Sequence, residues 1–124
     1  IQKKRKAIWS KYQKGLAVLQ QKGLVQLPFI PDYATNNAHM FYLVCNSLED
    51  RTGLIEHLKN KDINAVFHYL SLHMSPYYKD KHGARELPNC DRYTDCLVRL
   101  PLFYELTDED MERVISEILN FYKV

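Results

Sequence analysis

Two histidines, His68 and His73, stand five residues apart in INAVFHYLSLHMSP (Ile63 to Pro76), where a run with strand character gives way to a proline. Imidazoles in such a place can ligate a metal, move a proton, or donate hydrogen bonds to a bound molecule. A helical zinc pair requires histidines at i and i+4, so that both rings leave one face. The separation here, across a strand-to-loop junction, does not supply that geometry. His39, His82, Cys90, Asp91 and Cys96 could still complete a cage after folding. A small metal-dependent hydrolase built on His68, His73 and Cys90 therefore stays open as one reading.

Other reaction classes find less support. No Gly-x-Ser-x-Gly elbow occurs, and none of the cysteines has neighbours that would lower its pKa. Four glycines leave little from which to build a phosphate loop. The acid pairs in LEDR and TDEDMER fall at helix starts, where carboxylates favour the positive end of the helix dipole. What remains around His68 is aromatic: Phe67 and Tyr69 flank it at a strand end that fixes the base of a loop.

The elements that must hold these residues follow from periodicity. The chain has 124 residues, 46% hydrophobic and 26% charged, as expected of one globular domain able to bury a core unaided. Ile8, Trp9, Tyr12, Leu16 and Leu19 recur at helical spacing between Gln2 and Lys22, with Gly23 as the stop. HMFYLVC (His39 to Cys45) reads as a strand, with Cys45 in the core. Ser47, with Asp50 three residues on, caps a helix carrying Leu54, Ile55 and Leu58.

Ile63 to Leu70 reads as a second strand, so strand, helix and strand form one α/β unit. Residues Ser71 to Pro88 read as a loop, and NCDRYTDCLVRL as a short helix capped by Asn89. Pro101 forbids a helix interior in the next segment. Thr107 then caps a last helix with Met111, Val114, Ile115, Ile118, Leu119 and Tyr122 on its buried side. The fold class expected is α+β, a small sheet with helices packed on it.

A net charge of +2 does not point to nucleic acid, and no apolar run approaches the about 20 residues that would span a membrane. KKRK (Lys3 to Lys6) reads as a solvated helix face, although a standalone interaction domain using it remains an alternative. An odd set of three cysteines with no signal peptide suits reduced thiols in a cytoplasmic protein. Cys90 and Cys96 could otherwise pair.

NNAHMFYLV, INAVFHYLSLHMSP and DRYTDCLVRLPLFYELTDEDMERVI, in that order after RKAIWSKYQKGL, resemble the C-terminal part of the DegT/StrS sugar aminotransferases. Within that family the likeness is to the transaminases acting on dTDP-4-keto-6-deoxyglucose, which form amino-dideoxygalactose for surface polysaccharide or lipopolysaccharide. The resemblance runs the length of the chain. It implies the C-terminal domain of a fold-type I, pyridoxal-phosphate-dependent homodimer that moves an amino group from glutamate to a keto sugar nucleotide.

The family's Schiff-base lysine lies in a large N-terminal domain absent here, so no catalytic residue is expected in residues 1–124, and the segment alone should be inactive. A start at Ile1 without Met accords with a piece of a longer enzyme. By resemblance, His68 borders the sugar-nucleotide pocket, followed by Tyr69 and His73, with His39 at the head of the other strand as a further substrate contact. No metal ligand is implied. One departure stands out: the family often has proline where this chain has Ser71.

Overall fold

The computed structural model describes residues 1–83 and 86–124. The first helical stretch divides into α1 (Gln2–Gly15) and α2 (Ala17–Gln21) rather than running unbroken. Leu16 leaves helical geometry at φ −100° and ψ −1°, directly after Gly15, a residue that supports a helix poorly. Gly15 is also where the last helix comes close, since a Cβ there would lie 2.8 Å from Ile115 Cδ1. Ile8, Tyr12, Leu16 and Leu19 are all buried, as their spacing predicts. Gly23 ends the stretch at φ +69°, with Leu24 N–H returning to Leu19 O in a Schellman closure.

Four strands follow: β1 (Val25–Gln26), β2 (Phe41–Cys45), β3 (Val66–Phe67) and β4 (Leu97–Leu100). Their order is β1-β2-β4-β3, and every neighbouring pair is antiparallel. Helix α3 (Leu48–Lys59) joins β2 to β3. Those strands run parallel, because each opposes β4, so the expected strand–helix–strand unit exists with β4 inserted into it. Leu97 to Leu100 corrects the expectation of a helix through LVRL. Helix α4 (Pro88–Cys96) starts at Pro88, without a side-chain cap from Asn89, and stops just before that strand. The strand expected over residues 63–70 pairs only at Val66 and Phe67. Within the expected loop at 71–88, a 3-10 turn spans Leu72–Met74, and positions 84 and 85 lie outside the described residues.

Alternation sorts the sheet into two faces. Phe41 and Leu43 oppose Leu100 and Val98, and these residues meet Tyr12, Leu54, Leu58 and Met111 in one core. That core lies under α1, α3 and α5 (Asp108–Tyr122). Ser47 and Thr107 accept the N–H of Asp50 and Asp110, as the capping pattern requires. On the opposite face stand Tyr42 and Val44 with their partners Arg99 and Leu97, and Val66 beside Arg99. Helix α4 packs against β2, β3 and β4 and buries Val44 and Leu97.

Candidate functional site

Each anticipated site residue sits where a strand end or loop anchor puts it, but the four do not share one hollow. His68 continues β3 on the face opposite the core and is half-buried. Its Nδ1 lies 3.4 Å from Arg99 Nη1. The Tyr69 ring, 73% exposed, tilts over His68 at 4.4 Å between centroids. Together they line a hollow of about 360 Å³ whose far wall is Leu72, Cys90, Tyr93 and Leu97. Burial, with Tyr93 nearby, raises the Tyr42 phenol on the same face above its ordinary value, so it remains a neutral donor.

His73 is placed differently, as a buried anchor of the loop. Its ring, 9% exposed, has Nε2 3.0 Å from Asp91 Oδ1 on α4. That contact has ion-pair distance without hydrogen-bond alignment, and Nδ1 has no partner among the described residues. The His73 carbonyl accepts from His82 Nε2 at 2.7 Å, which draws the loop back on itself. His73 also lines a hollow of about 800 Å³ with acidic neighbours, Glu86, Asp91 and Asp95.

His39 stands exposed just before β2. Asn37 Oδ1 accepts its N–H, while Arg5 of α1 holds the Ala38 and His39 carbonyls. Ala38 sits at φ +49°, with its N–H bonded to Asn36 Oδ1, and this turn aims the chain into β2. His39 borders a third hollow, about 240 Å³, with Asn64, Val66, Arg99 and Pro101. His68 and His39 are therefore linked through Arg99, whereas His73 lines a different hollow that shares Leu70, Ser71 and Thr94 with that of His68. Among the described residues, no three His, Cys, Asp or Glu side chains gather as a metal site. Cys90 is exposed, Cys96 is buried, and both are free.

Arg99 is the side chain that sequence reading missed. The signal was the alternation in LVRLP, which puts Val98 and Leu100 on one face and Leu97 and Arg99 on the other. A helical reading of the same letters hid it.

The Ser71 departure has a backbone answer. Ser71 adopts φ −66°, the value proline imposes, with an extended ψ of 130°, and its N–H has no partner among the described residues. Ser71→Pro is expected to stabilise the fold by about 0.4–1 kcal/mol, through loss of unfolded-state freedom. Urea unfolding of the two proteins checks this. A loss of stability would show that the loop leaves those angles in solution.

No helix among the described residues is long and apolar enough to cross a membrane. In amino-acid sequence, the chain is 30% identical to the spore coat polysaccharide biosynthesis protein SpsC of Bacillus subtilis, across 99% of the chain and 32% of SpsC. In structure, it is similar to an aminotransferase, TlmJ, from Streptoalloteichus hindustanus, at TM-score 0.86 and 23% identity over 98% of this chain and 32% of TlmJ. It is also similar to NtdA from Bacillus subtilis, solved with bound cofactor PMP, at TM-score 0.83 and 23% identity over 98% of this chain and 28% of NtdA. The chain thus spans about a third of the length of SpsC. The α+β arrangement is that of a segment of these aminotransferases, and residues 1–119 match one family throughout. This chain belongs to the DegT/DnrJ/EryC1/StrS aminotransferase family.

Proposed function

We propose that residues 1–124 form the C-terminal, substrate-facing domain of a longer cytoplasmic sugar aminotransferase that works as a homodimer with pyridoxal phosphate. The substrate is a keto sugar nucleotide of the dTDP-4-keto-6-deoxyglucose type, the amino donor is glutamate, and the product serves polysaccharide synthesis. The observation that carries this reading is the family match over residues 1–119. The names of SpsC and NtdA support its polysaccharide and cofactor parts.

The residues present do not fit a covalent cofactor site. A Schiff-base lysine is activated by desolvation or a neighbouring cation, whereas every lysine of this chain is exposed. The cofactor carries the amino group between donor and keto carbon, and its anchor belongs to the rest of the polypeptide. This domain supplies recognition. His68 donates from Nε2 to the sugar nucleotide, and Tyr69 and Tyr93 offer ring faces to a sugar or base. His73, held against Asp91, fixes the loop that carries them.

The full-length enzyme, assayed with dTDP-4-keto-6-deoxyglucose, glutamate and pyridoxal phosphate, tests the proposal. His68→Ala is expected to lower kcat/KM for the sugar nucleotide about ten- to a hundredfold, the loss of one hydrogen bond to a charged or strongly polar group. The cofactor absorbance should be unchanged. A full-length protein that is colourless and inactive overturns the reading.

A further inference from the structure

We propose that Arg99 and His68 together form an oxyanion-binding subsite on the face of the sheet opposite the core, beside α4. It deepens the reading above by giving the substrate-facing domain a definite ionic contact. Four other arginines are described, and each is committed to a fixed oxygen. Arg5 donates to the Ala38 and His39 carbonyls, Arg51 to that of Asp95, and Arg113 to that of Lys61, while Arg92 donates to Gln26 Oε1. Among the described residues, the one side-chain polar partner of Arg99 is an imidazole nitrogen, and no carboxylate pairs with it. A half-buried guanidinium without a counter-charge keeps its planar fork of donors free for a carboxylate or phosphate.

Position fixes the backbone from which the group projects. Arg99 lies on β4, an inner strand of the sheet, between Tyr42 of β2 and Val66 of β3 in register. The contact with His68 sets a second donor. Arginine has no acceptor, so His68 Nδ1 must accept and the ring proton must sit on Nε2. The Nε2–H is then left to donate beside the guanidinium. His39 and Asn64 add polar groups around the hollow that Arg99 lines, while His68 lines the adjoining one.

Charge separates this place from its neighbours. No acidic side chain lines the hollow of Arg99 or that of His68, whereas three carboxylates and one cation, Lys79, line the one at His73. The balance of charge favours an oxyanion at the former. Two sources present that chemistry to an aminotransferase of this type: the carboxylate of the amino donor and the diphosphate of the sugar nucleotide.

The two are told apart in the full-length enzyme. Arg99→Gln is expected to raise KM about tenfold for one substrate, with kcat changed less than twofold, while Arg99→Lys recovers part of the loss. A rise confined to glutamate identifies the donor carboxylate; a rise confined to the sugar nucleotide identifies the diphosphate. Unchanged KM for both overturns the subsite.

The chain itself gives a second readout, independent of activity. Inorganic pyrophosphate and glutamate are titrated separately against 15N-imidazole spectra. The His68 signal should move saturably with one anion in the wild type, and not in Arg99→Gln. If Arg99→Gln does not fold, Arg99→Lys should bind several-fold more weakly; equal binding overturns the proposal. Arg99-dependent anion binding by a chain whose full-length protein lacks aminotransferase activity would retain the subsite and overturn the proposed function. Normal activity with an Arg99-independent titration would do the reverse.

Discussion

Phe41→Ala is expected to remove about 4 kcal/mol from the stability of the fold. Phe41 is fully buried and opens β2, paired in register with Leu100. Its ring meets Trp9 edge-on at 5.4 Å and Tyr12 at 5.2 Å, so the helix α1 and the sheet are joined through it. Truncation removes the transfer free energy of the ring and leaves a cavity that helix and strand cannot both close. Each aromatic contact adds about 0.5–1.5 kcal/mol beyond burial.

The total stability of a domain this size is about 5–15 kcal/mol, so the loss is a large fraction of it. Urea unfolding followed by far-ultraviolet dichroism measures it. A loss below about 2 kcal/mol would mean that α1 settles onto the sheet without the ring. The Tyr12 hydroxyl bond to the Pro101 carbonyl, 2.9 Å, would then carry more of the helix docking than the aromatic contact does.

Alkaline pH is expected to cost a similar amount. Burial pushes the Cys45 thiol up from 9.0 to about 12, against a smaller downward effect of its hydrogen bond with Tyr122. In the unfolded chain that thiol ionises near its ordinary value; in the fold it keeps its proton. The folded state therefore binds more protons between pH 9 and pH 12, and stability falls as pH rises through that window. Its contribution is intact below pH 9. The loss is about 1.4 kcal/mol per pH unit, or about 4 kcal/mol for Cys45 by pH 12.

Burial also raises the Tyr12 and Tyr122 phenols well above their ordinary value, which steepens the decline above pH 10. Tyr122 is further held neutral by its neighbour Cys45 and by the bond its hydroxyl donates to Asp50, 3.0 Å. Urea midpoints at pH 8, 10 and 11 should fall in order. Cys45→Ala should fall less steeply. Equal slopes for the two proteins would mean that the thiol is reached by water through local opening before the domain unfolds.

Local chemistry was legible in the letters. A serine or threonine three residues ahead of an aspartate made the caps at Ser47 and Thr107, because the cap is a bond within one turn. The buried stripe of α5 followed from its 3.6-residue period, and Gly23 from its freedom at positive φ. The order of the motifs carried the family. What failed was anything whose identity depends on a distant partner. Leu97 to Leu100 has no helix-breaking residue before Pro101, and it becomes a strand only because β2 and β3 flank it. The expected strand at 63–70 shortens to the two residues that pair with β4, Val66 and Phe67, although β4 pairs over four with β2.

The candidate site divides along the same line. The sequence by itself supplied the candidates for ligand recognition: His39, His68, Tyr69 and His73, imidazoles and a phenol at strand ends and in a loop. It also determined that no buried lysine pattern accompanied them. The tertiary structure decided how they are used. It turned His73 inward against Asp91, and it set Arg99 beside His68 across 31 residues of sequence. Spacing along the chain fixes side-chain type and local geometry, but the pairing of strands brings distant charges to one face of a sheet.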